Sequence, residues 1–247
     1  MKQTKILMGM PITIEILDTD ANEEIFNKVF SYFKYIDNKF STYKDTSEIS
    51  LLNKGEITEK EFSEDMQEIF KLSEKTKEET NGYFDIKTPS GRYDTSGLVK
   101  GWAIYNASKI IKDLGFENFY VEAGGDIQTF GNNSEGKDWK IGIRNPFKHE
   151  EIIKTLSIKN KGMATSGTYI RGQHIYNPKN PDFKIEDIVS LTVIGDNIYE
   201  ADRFATAAFA MGKEGIFFIN KLSGFEGYMV DNNGIATMTD GFEKYIA

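Results

Sequence analysis

The amino-acid sequence predicts an α+β fold, as one domain or two intertwined lobes. Three observations carry that expectation. Short alternating apolar runs lie among longer stretches of helical periodicity, without a repeating βαβ order. The 247 residues, 39% of them hydrophobic, are enough for one substantial core. No internal repeat or low-complexity linker divides the chain.

The elements follow in order. Ile12, Ile14 and Ile16 alternate with Thr13 and Glu15, the period of a strand. Residues 22–38 then read as a helix, with Ile25, Val29, Tyr32, Phe33 and Ile36 at helical spacing behind the cap chemistry of Asp18, Thr19 and Asp20. Ser47 opens a short helical turn at Ile49, Leu51 and Leu52. Residues 63–80 form a second amphipathic helix through Met66, Ile69, Phe70 and Leu72, stopped by Asn81 and Gly82. Residues 82–101 read as loop, and 102–114 as a third helix closed by Gly115. A short strand at 119–121 runs into Ala123-Gly124-Gly125-Asp126, and another covers 139–143. Residues 156–158 and 163–165 flank a turn at 160–162, and residues 171–188 read as a polar loop. A strand at 189–194 precedes a small-residue helix at 201–211, and residues 216–221 continue helically. A hairpin over 231–234 closes the series.

Composition narrows the function. The net charge is −8 and no basic run occurs, which argues against nucleic acid. The absence of cysteine removes disulfides, thiolate catalysis, Cys-ligated zinc and lipid attachment through cysteine. No secretory signal is visible at the N-terminus, and no apolar run approaches the roughly 18 residues of a membrane helix, so the expected location is the cytoplasm.

Four constellations are candidates for chemistry. Gly124-Gly125 before Asp126 permits close approach of a ligand, or simply makes a turn. In the segment from Asp94 to Gly101, Lys100 is placed at a helix start, where the dipole disfavours a cation unless it faces an anion; a solvated lysine is the plainer alternative. Thr165-Ser166-Gly167 offers small hydroxyls for phosphate or ribose, with His174, one of two histidines, close behind. Asp202 and Thr206 share a helix face and present hard oxygen ligands suited to Mg²⁺, although Asp202 also suits a plain helix-start acid. Tyr43, in a polar loop, is suited to stacking on a flat ring.

Taken in order, these segments resemble the ApbE family of FAD:protein FMN transferases. The resemblance rests on Met8-Gly9-Met10-Pro11, Phe40-Ser41-Thr42-Tyr43 with Ser47 and Asn53, Gly82-Tyr83-Phe84-Asp85, Asp94 through Gly101, Ala123-Gly124-Gly125-Asp126, Ala164-Thr165-Ser166-Gly167, His174 with Pro178, and Ala201-Asp202 through Thr206. It implies one domain over residues 1–247, with mixed and antiparallel sheets flanked by helices. FAD would be the substrate, Mg²⁺ the cofactor and a flavin-accepting protein the partner. Met8, Tyr43 and Tyr83-Phe84-Asp85 would line the flavin pocket, with Tyr43 against the isoalloxazine. Asp94 and Lys100 would contact FAD, as would Gly124, Gly125, Asp126 and Ile175, and Thr165, Ser166 and Gly167 would shape the nucleotide site. Asp202, Thr206 and the backbone oxygens of Gly97 and Ala205 would hold the metal, and His174 would act as base. The alternatives are an FAD pyrophosphatase and a non-catalytic FAD-binding protein. The chain departs from the family pattern at Ile86-Lys87, at Tyr105, and at His174-Ile175-Tyr176-Asn177-Pro178, where His-Ile-Ile-Asp-Pro is common.

Overall fold

The structure, a computed structural model, describes residues 1–148, 150–167, 175–182 and 184–247. Its amino-terminal part comprises β1 (Lys2–Leu7), β2 (Met10–Ile16), α1 (Glu23–Phe40), α2 (Glu48–Lys54), α3 (Glu64–Glu79) and α4 (Ser96–Asp113). Strands β3 (Phe119–Ala123), β4 (Asp126–Phe130), β5 (Trp139–Arg144), β6 (Ile152–Ile158), β7 (Gly162–Gly167) and β8 (Ile188–Gly195) follow. Then come α5 (Ile198–Ala210), α6 (Gly215–Lys221), β9 (Glu226–Asp231) and β10 (Ala236–Met238).

Eight strands make one antiparallel sheet in the order β1-β2-β3-β4-β7-β8-β9-β10, and β5 and β6 pair as a separate ribbon. Alternation along the strands divides the interior into two layers. On one face, Ile12, Ile14, Phe119, Val121, Ala164, Leu191 and Val193 pack with the helices. On the other, Ile127, Met163, Ile194, Tyr228 and Val230 meet Ile143, Leu156 and Ile158 of the ribbon. The α+β class and the antiparallel pairing follow the expectation from sequence.

The helices begin where their caps dictate. The Asn22 side chain accepts from the Glu24 and Ile25 amides, and α1 then buries Phe26, Val29, Phe30, Phe33 and Ile36 along one stripe. Full burial of each of those phenylalanines contributes about 1.5–3 kcal/mol before entropy is counted. Asn197 caps α5 through the Glu200 amide at 2.9 Å, and α5 is buried almost all round, which its alanines make sterically feasible.

Two local expectations differ from the structure. Residues 96–101 are the first turns of α4 and not loop. Glycine disfavours a helix on propensity alone, but here Gly97 and Gly101 are what α5 packs against, so tertiary contact overrides propensity. β1 and β4 carry strands not expected from the sequence: β1 is an exposed edge whose polar residues hide the alternation, and β4 is buried on both faces. The segments at 156–158 and 163–165, read as flanking a turn, belong to different sheets, so the chain between them passes from one sheet to the other.

Candidate active site

The site forms where α4 meets α5. A Cβ placed on Gly101 would lie 2.6 Å from Asp202 Cβ and 2.8 Å from the Ile198 carbonyl oxygen, and one on Gly97 would lie 3.0 Å from Thr206 Cγ2. Glycine at both positions, one turn apart, lets the two helices touch along their backbones. The Gly101 amide then donates to Asp202 Oδ2 at 2.8 Å, and the Thr206 hydroxyl donates to the Gly97 carbonyl at 3.3 Å. Asp202 and Thr206, four residues apart on α5, present their oxygens on one face.

Lys100 projects into this junction from the second turn of α4. Its ammonium lies 2.5 Å from Asp126 Oδ2 and 3.7 Å from Asp202 Oδ1. Asp126 reaches it because Gly124 and Gly125, with φ of +60° and +101°, make a two-residue turn between β3 and β4. The other carboxylate oxygen of Asp126 accepts the Thr165 amide at 3.0 Å, fixing β7 beside it. Two buried carboxylates thus face one ammonium, and the cluster keeps a net negative charge.

Two adjoining cavities open from this point, and Asp94, Ser96 and Lys100 line both. The first also touches Tyr83, Phe84, Asp85, Gly97, Gly124, Thr165, Ser166, Gly167, Ile175, Asp202 and Thr206. The second touches Met8 and Tyr43, together with Met10, Phe40 and Lys44. The residues expected around the flavin are therefore divided, with Met8 and Tyr43 in one cavity and Tyr83-Phe84-Asp85 in the other. Asp126 is buried behind Lys100, Ala205 is buried in α5, and Gly125 donates its amide to Glu122 Oε1 at 2.6 Å; none of the three lines a cavity. His174, the expected base, lies outside the described residues, although Gly167 and Ile175 at either side of the undescribed stretch both line the first cavity.

Local forces shape the walls. Tyr43 is 98% exposed at the mouth of the second cavity, while Met8 holds a left-handed φ of +53° in the β1–β2 turn, an unfavourable conformation for a residue with a side chain. Asp85 pairs with Lys77 at 2.7 Å, and this hydrogen bond raises the lysine pKa. Tyr176, not singled out from sequence, lines the first cavity; burial, aided by the charges of Asp85 and Asp94, pushes its phenol up to about 12. Only its departure from the common motif marked it. Thr88 and Ser96 were also missed, because a lone hydroxyl in a polar loop carries no pattern.

The oxygen donors fit a hard divalent cation. Asp202 supplies a carboxylate, Thr206 a hydroxyl and Gly97 a carbonyl, beside a cluster of net negative charge. Among the described residues no group of three or more His, Asp or Glu gathers as a metal cluster; the expected set contains a single carboxylate.

The chain matches the ApbE family model over residues 8–90 and 87–229. It is 23% identical to the FAD:protein FMN transferase of Haemophilus influenzae, over 98% of this chain and 92% of that protein. It is 29% identical to the enzyme of the same name from Vibrio cholerae, over 62% of this chain and 47% of that one. The fold is that of the ApbE protein of Thermotoga maritima, with a TM-score of 0.88, 21% identity and coverage of 100% and 99% of the two chains. The flavin transferase ApbE of Vibrio cholerae superposes with a TM-score of 0.86 at 20% identity, covering 99% and 98%. Among the described residues no helix is long and apolar enough to cross a membrane.

Proposed function

The chain belongs to the ApbE family, and on that premise we propose that it is an FAD:protein FMN transferase. It moves the FMN half of FAD onto a threonine or serine hydroxyl of a target protein, as a phosphoester, and releases AMP. The observation that carries this reading is the position of Lys100, at the junction of two cavities and between two carboxylates. A dinucleotide has that form: a ring system at each end and a pyrophosphate between. The isoalloxazine is assigned to the cavity of Met8 and Tyr43, and the AMP half to the cavity of Thr165, Ser166 and Gly167.

Lys100 holds the pyrophosphate, and Asp126 and Asp202 hold Lys100. Asp202, Thr206 and the carbonyls of Gly97 and Ala205 are the proposed ligands of Mg²⁺, which when bound neutralises charge on the pyrophosphate oxygens. Tyr43 stacks on the flavin. The acceptor oxygen bonds to the FMN-side phosphorus as the bridging P–O bond breaks, and the electron pair leaves with AMP. His174 takes the proton of the acceptor hydroxyl. Such a transfer depends on positioning and charge neutralisation more than on covalent assistance.

The exposure of Tyr43 favours one second reading. A cleft open at its flavin end admits water as well as a protein hydroxyl, and hydrolysis would yield FMN and AMP. The test is incubation with FAD, Mg²⁺ and a flavin-accepting domain, following AMP and protein-bound fluorescence in a denaturing gel. Both signals together are expected. AMP with only free FMN would establish the hydrolase, and bound FAD with no AMP would leave a non-catalytic flavin protein.

A further inference from the structure

One part of the first cavity's wall is built from two segments distant in sequence. Tyr83, Asp85 and Thr88 come from the stretch before α4, and Ile175, Tyr176 and Pro178 from the stretch before β8. Neither segment belongs to a sheet or a helix, although the first closes on itself through the Lys87–Tyr93 bridge, with the Asp94 amide donating to the Ile86 carbonyl and the Thr88 amide to that of Arg92, both at 2.8 Å.

Two contacts join them. The Tyr176 hydroxyl lies 3.3 Å from the Asp85 carbonyl oxygen and 3.2 Å from that of Lys87, donating its one hydrogen between them. The Lys179 ammonium stands 4.7 Å from the centre of the Tyr83 ring. Elsewhere the 83–93 segment is anchored at its far end, where Asn53 bonds both the amide and the carbonyl of Tyr93. At its near end the segment is tied to α3 by the Phe84 amide on the Thr80 hydroxyl and by Asp85 on Lys77, and Tyr176 ties it to the 175–178 segment.

We infer that Tyr176 is a positioning residue, which fastens the 83–88 segment to the 175–178 segment and so sets the width of the first cavity for the half of FAD it receives. Lys179 over Tyr83 is the second fastening. The clamp itself stands on geometry alone; its effect on FAD rests on the transferase reading. Phenylalanine at position 176 fills the same space and removes only the hydroxyl, whereas the isoleucine common in the family motif has no donor to offer.

The experiment uses the full chain, with Tyr176→Phe and Lys179→Met as separate variants. Amide hydrogen exchange of residues 83–88 is read without ligand, and FAD KM and kcat are read with acceptor. A net hydrogen bond of ordinary strength corresponds to about tenfold in a local opening equilibrium. Exchange in Tyr176→Phe is therefore expected to quicken about tenfold, with FAD KM rising about three- to tenfold and kcat within about twofold of wild type. Lys179→Met shows the same pattern, more weakly. Unchanged exchange in Tyr176→Phe overturns the clamp. Faster exchange with an unmoved KM overturns its role in holding FAD, and a fall in kcat at constant KM does the same. If the wild-type chain consumes no FAD, the transferase reading fails by itself, the role toward FAD fails with it, and exchange alone decides the clamp.

Discussion

The amide of Gly101 donates to the Asp202 carboxylate at 2.8 Å, across an approach too close for any side chain at position 101. The Asp202 carboxylate is thus held by the backbone of a neighbouring helix, and the packing of α4 on α5 and the aim of Asp202 are a single arrangement.

Gly101→Ala should therefore disturb stability and site together. The added methyl must push α4 from α5, and overpacking of this kind costs about 1–3 kcal/mol. Urea unfolding measures the loss, and FAD titration should show weaker binding even where the variant is fully folded. Unchanged stability would mean that the helices have slack at this contact.

Asp202→Asn keeps the shape of the side chain and removes its charge. Loss of an outer partner of a metal ligand typically costs about 10–100-fold, and loss of a ligand should exceed that. AMP release at fixed FAD is expected to fall more than about hundredfold and to recover in part with excess Mg²⁺. Activity that ignores both the substitution and the metal concentration would remove Asp202 from the metal site.

Tyr43→Ala separates binding from folding. The side chain is almost fully exposed, so the unfolding midpoint should hardly move. Aromatic stacking on a base is worth about 1–3 kcal/mol, so FAD should bind about 5–150-fold more weakly. Flavin fluorescence gives the affinity, and an unchanged value would place the isoalloxazine elsewhere.

His174→Ala addresses proton transfer. General-base assistance contributes about 10²–10⁴-fold, and a loss of that size is expected in kcat at saturating acceptor. A rate equal to wild type would assign the base to another group.

Acid should weaken the helical layer at Asp65. Burial alone would raise its carboxyl, but hydrogen bonds from Tyr35 and from Lys39, the latter at 2.9 Å, hold it below the usual carboxylate range. Because the folded pKa is the lower, this contribution is fully present above the unfolded value of about 4 and is lost as pH falls through the folded one. The difference in urea midpoint between wild type and Asp65→Asn should be present near neutrality and vanish in stronger acid. A difference that persisted there would point to packing and not to charge.

How much could be read in advance varied by element. The stripes of α1 and α3 were legible because Phe33, Ile36, Met66 and Ile69 recur at helical spacing and their caps are polar. The start of α4 was not, because Gly97 and Gly101 report a partner helix roughly a hundred residues later and nothing about their own neighbourhood. The same distance hid the ion cluster. Asp126 suggested a ligand contact or a turn, Lys100 an anion partner or a solvated lysine, and Asp202 a metal ligand or a helix-start acid, and only the fold makes them neighbours. The division of the cleft was invisible for the same reason, since Tyr43 and Tyr83 reach it from separate segments.

Strands β2 and β3 lie side by side, yet Ile16 and its partner Phe119 are separated by a stretch of roughly a hundred residues that contains α1 through α4. Met8 stands near the beginning of the chain and Thr206 well toward its end, and both border the joined cavities. During synthesis, no emerged fragment short of α5 contains the complete cleft. A ligand that needs both cavities therefore cannot act as a template for the early chain, and pairings of such sequence separation are slow to form. Capture of any ligand that spans both cavities therefore belongs to the end of folding, after α5 has packed on α4.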